Sequence, residues 1–182
     1  PTSARILDIG SGVSVIDLLL YSYVENSKFF LLDGDLKNDE DLKAGIQYVR
    51  DNPYSENCKI YNSWEPVIDA ITTSNFDKNR FEFLSPSSNF PEDLDLVTSY
   101  ASWCLNYPKE IYWIKTINSL KKGGKLALDV RVLKDRDIIG EITEELKSKP
   151  IMHPIIFPKE LDKFEDIDEN ASAYKCVWIK NI

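Results

Sequence analysis

The residues whose types and spacing could do chemistry fall in three places along the chain. In the first, Asp8, Gly10, Ser11 and Gly12 close a short apolar run at residues 4–9. Glycines at 10 and 12 allow a tight turn and bring a ligand close to backbone N–H groups at the start of a helix. A dinucleotide fingerprint calls for a third glycine where Val15 stands, which disfavours nicotinamide or flavin binding. In the second place, Asp33 and Gly34 lie some twenty residues on, where a carboxylate on a strand end can accept hydrogen bonds from both hydroxyls of a ribose. Asp35 takes that part if the strand runs two residues further. The third place gathers Ser99, Tyr100, Trp103, Asn106 and Tyr107 with Asp129 and Arg131, the last two pointing the same way from one strand.

The elements that must position these residues alternate. A strand at 4–9 leads into a helix over 13–24, and 28–33 reads as a second buried strand. The segment 38–53 then sets Leu42, Ile46 and Val49 on one helical face before Pro53. Residues 64–74 suggest a helix with Pro66 in its first turn, followed by strands at 80–84 and 93–100. A helix from about Lys109 to Leu120 puts Ile111, Ile114, Ile117 and Leu120 on one face, with Gly123–Gly124 as its C-cap and turn. A strand at 125–130, a helix at 135–147 and a closing hairpin of 155–157 with 173–180 complete the chain. The expectation is one α/β domain over residues 1–182, doubly wound, whose final strand is antiparallel.

The pattern D-x-G-x-G at 8–12 resembles the first motif of the class I S-adenosylmethionine-dependent methyltransferases. D-L-V at 95–97, the L-K-x-G-G turn at 120–124 and the strand to Arg131 look like later motifs of that family, in the same order. The resemblance runs from residue 4 to about 131. It implies a mostly parallel seven-stranded sheet with helices on both faces. It also places Asp8, Gly10, Ser11 and Gly12 by the methionine part of the cofactor, Asp33 and Gly34 by its ribose, and Ser99 and Tyr100 along it. Ser85 stands where many members carry an acid facing the adenine amino group, and Ser14 where many carry a third glycine. More narrowly, S-W-C-x-x-Y-P at 102–108 with L-x-L-D-V-R at 126–131 resembles sugar and glycan O-methyltransferases, in which a histidine often takes the position of Asn106.

The resemblance implies transfer of a methyl group to an oxygen of a small, polar, sugar-like acceptor. Trp103, Asn106, Tyr107 and His153 would contact that acceptor, Asp129 would take its proton and Arg131 would orient it. The competing reading of Asp129 and Arg131 is a structural ion pair. Two other functional readings stay open: a non-catalytic module of the same fold, and, at low weight, a nicotinamide oxidoreductase.

Composition bounds the rest. With 22 basic and 30 acidic residues the net charge is −8, and no basic patch offsets it, so nucleic acid and anionic membrane are not expected partners. Cys58, Cys104 and Cys176 form no CxxC pair, which argues against a disulfide framework or a cysteine zinc site. No stretch reads as a membrane span or signal peptide, so a cytoplasmic location is expected. The start at Pro1, only a few residues before the first strand, suggests that upstream residues have been trimmed. His153, the single histidine, falls between Pro150 and Pro154 in a connection that could cover the site, and otherwise reads as a surface residue. Trp64, Trp113 and Trp178 read as packing, and the acidic run from Glu160 to Glu169 as a solvated loop with no metal. The oligomeric state is left open.

Overall fold

The computed structural model describes residues 3–35, 37, 38, 40, 43, 63–105, 107–133, 136–155 and 173–182. The elements are β1 (Arg5–Ile9), α1 (Val15–Tyr21), β2 (Lys28–Leu32), α2 (Glu65–Thr73), β3 (Phe81–Leu84), β4 (Leu94–Ser99), α3 (Trp113–Ser119), β5 (Leu120–Arg131), α4 (Ile138–Leu146), β6 (Ile151–Ile155) and β7 (Ala173–Ile179). They build one seven-stranded sheet in the order β3-β2-β1-β4-β5-β7-β6. β1 to β5 are mutually parallel, and β7 runs antiparallel to both of its neighbours. The doubly wound sheet expected from the alternation is therefore the observed one.

Apolar side chains alternate between the two faces of the central strands and separate the core in two. Leu7, Ile9, Phe30 and Leu32 pack with Trp113 of α3 and with Ile138, Ile142 and Leu146 of α4. Ile6, Phe29 and Leu31 pack on the other face with Val67 and Ile71 of α2, and with Leu18, Leu20 and Tyr21 of α1. Helix α2 starts as expected, with Pro66 in its first turn. Helix α4 starts where the Asp137 carboxylate accepts the N–H of Gly140.

Three expectations are corrected. The face of α3 that turns inward carries Trp113, Thr116 and Ser119, whereas Ile111 and Ile114 are exposed, Ile114 by 68%. Burial of the large Trp113 ring outweighs the isoleucine stripe. Gly123–Gly124 does not cap that helix. The helix has already ended, and the Lys180 ammonium binds the carbonyls of Ile117 and Leu120 at 2.7 Å each. The glycine pair instead lies inside β5, where pairing with β4 shifts register and Gly123 donates to the Lys180 carbonyl. Finally, the edge strand pairing with β7 starts earlier than expected, at Ile151, and runs to Ile155; of the expected 155–157 only Ile155 is among the described residues. The helical segment expected at 38–53, Cys58 and the acidic run lie largely or wholly outside the described residues.

The two glycines in β5 differ in what they tolerate. A Cβ on Gly124 would meet Leu120 Cδ1 at 2.8 Å and the carbonyl oxygens of Leu94 and Lys121 at 2.9 Å, while one on Gly123 would meet nothing within 4 Å. Gly124→Ala should then cost about 1–3 kcal/mol and lower the melting temperature by several degrees. Gly123→Ala should cost only the strain of its positive φ, about 1–2 kcal/mol. Thermal melts of both variants check the order, and the reverse order would contradict the register shift.

Candidate functional site

Strand order reverses between β1 and β4, where a doubly wound sheet opens a crevice at the carboxyl ends of its strands. The glycine turn after β1 and the segment after β4 flank that crevice. Gly10 and Gly12 have φ of 72° and 54°, and Ser14 also adopts positive φ, so the chain reverses within five residues and enters α1. The turn is closed by its own neighbours. Gly10 and Ser11 donate to the Leu32 carbonyl at 2.7 and 3.2 Å, Gly12 donates to Asp33 Oδ2 at 2.8 Å, and Ser14 donates to the Ser11 carbonyl at 2.7 Å. These N–H groups are engaged within the protein, which corrects the expectation that they are presented to a ligand. A Cβ on Gly10 would lie 1.9 Å from Ser102 Oγ, so the space above this glycine is filled by the segment after β4.

Asp33 directly follows β2 and is 8% exposed, with Oδ1 accepting from the Gly34 N–H at 2.8 Å as Oδ2 accepts from Gly12. This carboxylate ties the ends of β1 and β2 together, so it is not the freely accessible strand-tip acid expected of the sequence. Gly34 is buried beside it. Asp35, the alternative position, closes a local turn by accepting from Lys37 N–H at 2.9 Å.

Asp8 stands opposite Thr98 in the β1–β4 register and accepts from its hydroxyl at 2.8 Å. It faces α1, where Asp17 is 1% exposed. Among the described residues no other side chain donates a hydrogen bond to the Asp17 oxygens, which have only the Asp17 backbone N–H and the Asp8 carboxyl beside them. The two carboxyls can bond each other only when one holds a proton. Burial, and then the charge and hydrogen bond of Asp8, hold the Asp17 carboxyl well above the ordinary carboxylate range. Burial also raises Asp8, partly offset by hydrogen bonds with Asp17 and Thr98. The hydroxyls of Ser11 and Ser14 are likewise buried without a hydrogen-bond partner among the described residues.

Beyond β4, Ser99 donates to the Ile9 carbonyl at 2.7 Å and accepts from the Trp103 N–H at 2.9 Å, so its hydroxyl staples two segments and does not line the crevice. Tyr100 is half-buried under the Lys175 ammonium, 3.7 Å from its ring centroid. Burial raises its hydroxyl pKa, as do the charges of Asp8, Asp129 and Asp17. Register carries the same sheet face on to Asp129, whose Oδ2 accepts from the Ala101 N–H at 3.0 Å and whose Oδ1 pairs with Lys175 at 2.9 Å. The ion pair foreseen at this sheet end thus exists, with Lys175 in place of Arg131. Arg131 lines a pocket of about 330 Å³ with Leu133, Arg136 and Ile138.

Other expected contacts move away from the crevice. Trp103 is wholly buried, its indole donating to the Lys109 carbonyl at 3.0 Å and packing against Trp113, so it is a core residue and not a substrate platform. Tyr107 packs partly buried against the same core. His153 is exposed on the edge strand, opposite Lys175 in register. The Ser85 hydroxyl, at the end of β3, lies 3.0 Å from that of Ser87. Asn106 lies outside the described residues. Sequence reasoning missed Asp17, Ser102 and Lys175. A lone acid in the apolar stretch VIDLLLY was the available sign for the first, and the alternation of AYKCVWIK, which sets Lys175 on the face of Ala173, for the last. No group of residues that could hold a metal ion occurs among the described residues. Nor is any helix there long and apolar enough to cross a membrane.

This strand order, with a glycine turn at the switch point, is the fold of the class I S-adenosylmethionine-dependent methyltransferases. A methyltransferase from Pyrococcus furiosus superposes with a TM-score of 0.55 at 14% identity, covering 99% of this chain and 76% of that one. The StiE O-methyltransferase domain gives 0.64 at 14% identity, over 98% and 68% of the two chains. TYW2 of P. horikoshii, solved with MeSAdo, gives 0.59 at 11% identity, and this chain, covered completely, spans 58% of it. No family model and no curated protein matches the sequence.

Two predictions follow from the turn. Gly10→Ala should lower stability by about 2 kcal/mol or more, through positive φ and the Ser102 clash, and adding Ser102→Gly should leave only the φ cost of about 1–2 kcal/mol. A double-mutant cycle measured by denaturant melts checks this, and additive effects would contradict the contact. Because the folded-state pKa of Asp17 is raised, that group's contribution to stability declines as pH rises from the ordinary carboxylate range. Asp17→Asn should therefore gain stability over wild type near neutral pH, with the difference shrinking on acidification. A constant difference in melts across pH would show that Asp17 ionises normally.

Proposed function

We propose that this chain binds S-adenosylmethionine in the crevice between the ends of β1 and β4 and transfers its methyl group to an oxygen of a small, polar, sugar-like acceptor. The observation that carries the reading is the set of buried polar atoms at the glycine turn that no hydroxyl, amide or cationic side chain among the described residues satisfies: Ser11 Oγ, Ser14 Oγ and both oxygens of Asp17. Buried groups of this kind cost free energy until something pairs with them, and a polar, cationic ligand supplies partners. The donor set suits the cofactor: carboxyls at Asp8 and Asp17 toward positive charge, a carboxylate fixed at the end of β2 at Asp33 toward the ribose hydroxyls, and the Ser85 hydroxyl on the adenine side.

When bound, the cofactor's sulfonium makes its methyl carbon electrophilic: a C–O bond forms as the S–C bond breaks, leaving a thioether and a proton from the acceptor hydroxyl. The chain's part is to align the acceptor, exclude water and receive that proton. Asp129 is the proton acceptor in this reading, with Lys175 as its counter-ion and Arg131 at the mouth of the adjoining pocket orienting the acceptor. One observation favours the second reading, a binding module without turnover: both oxygens of the Asp129 carboxylate are already engaged, one by the Lys175 ammonium and one by the Ala101 N–H.

Calorimetry with S-adenosylmethionine and S-adenosylhomocysteine tests the assignment. Both should bind, and Asp33→Ala should weaken them at least tenfold, since charge-assisted hydrogen bonds contribute about 1.5–3 kcal/mol each. Binding of neither would overturn the reading. With binding established, Asp129→Asn should keep affinity and lower turnover on hydroxylated acceptors by roughly 10²–10⁴-fold. Absence of turnover in wild type across such a panel would favour the binding module.

A further inference from the structure

Asp17 is not part of the D-x-G-x-G pattern, yet it is the most thoroughly buried acid at the turn and lies within the first turn of α1. No hydroxyl, amide or cationic side chain among the described residues hydrogen-bonds it, and beside its own backbone N–H the group it bonds is another acid, Asp8. Asp8 is differently placed, since the Thr98 hydroxyl already satisfies one of its oxygens. The unpartnered hydroxyls of Ser11 and Ser14 belong to the same ten-residue stretch. A buried carboxyl with no side-chain donor, facing a second carboxyl, is an arrangement that a cation completes: it pairs with both, and the shared proton is then no longer needed.

We propose that Asp17 is a second carboxyl of the cofactor site, protonated in the free protein and ionised when the cationic methionine end of S-adenosylmethionine enters, so that binding expels a proton. The proposal rests on the cofactor reading above and adds to it a recognition residue and a pH dependence. The groups that face Asp17 are Asp8 on β1, with Thr98 of β4 behind it, Tyr100 after β4, and Ser14 on its own helix. Lys175 sits over the Tyr100 ring and is already paired with Asp129. Tyr100, whose hydroxyl is raised further from neutrality, does not exchange protons over the range tested. The titrating unit is therefore the Asp8–Asp17 pair, which loses its proton as one system.

Calorimetric titration of the full chain with S-adenosylmethionine, in buffers of differing ionisation enthalpy, counts the protons released. Working below about pH 7 keeps the ligand's amino group charged. Wild type should release up to about one proton per cofactor bound, with affinity rising by up to about tenfold per pH unit until the pair is ionised in the free protein. Asp17→Asn, whose amide can still donate to Asp8, should bind more weakly, release little or no proton and show a nearly flat affinity profile. Binding by wild type with no proton release, or with release undiminished in Asp17→Asn, would overturn the proposal and leave the cofactor reading standing. No binding by wild type at any pH would overturn both. If the variant does not fold, the wild-type proton count and pH profile decide alone.

Discussion

Two carboxyls buried against each other cannot both be charged, and the site is arranged around that constraint. Asp8 is held at its position by parallel pairing of β1 with β2 and β4, and Asp17 by the short helix that follows the glycine turn. Neither can move to water without breaking the sheet or the turn. Their proton, or a cation in its place, is thus a structural component of the crevice. The same charges reach Tyr100, which links this pair to Asp129 and Lys175 at the end of β5.

The turn carrying these groups is held from outside itself. The Leu32 carbonyl and the Asp33 carboxylate take its N–H groups, and Ser102 fills the space that only glycine leaves at position 10. A glycine in a nucleotide-type turn is commonly read as room for the ligand. In this chain Gly10 gives room to the protein's own loop, which couples the end of β4 to the end of β1. Movement of residues 100–103 would consequently be felt at the turn, and the Ser99 hydroxyl, bonded at both ends, ties that loop to β1.

The fold was legible in the sequence where patterns were local. Apolar strand runs, Pro66 before α2 and the Asp137 cap each act within a few residues, and the structure has them. The failures came where distant parts decide the outcome. Lys180, far along the chain, caps α3 and leaves Gly123–Gly124 to a register shift, and burial of Trp113 turns Ile114 of that helix outward. At the site, the motif picked out Asp8 and Asp33, whose spacing is fixed by consecutive strands. It could not show that Asp33 is occupied by backbone N–H groups, that Trp103 faces the core or that Lys175 neutralises Asp129, because each depends on a contact between segments separated in sequence.

The central claim is that the crevice flanked by the glycine turn and the end of β4 receives a cationic nucleoside. Amide chemical-shift mapping of the labelled protein during titration with S-adenosylmethionine tests it most directly. The account predicts saturable shifts concentrated at residues 8–17, 33–35 and 98–102, with smaller ones along β5. Shifts confined to the pocket around Arg131 and Ile138, or no shifts at saturating ligand, would contradict it.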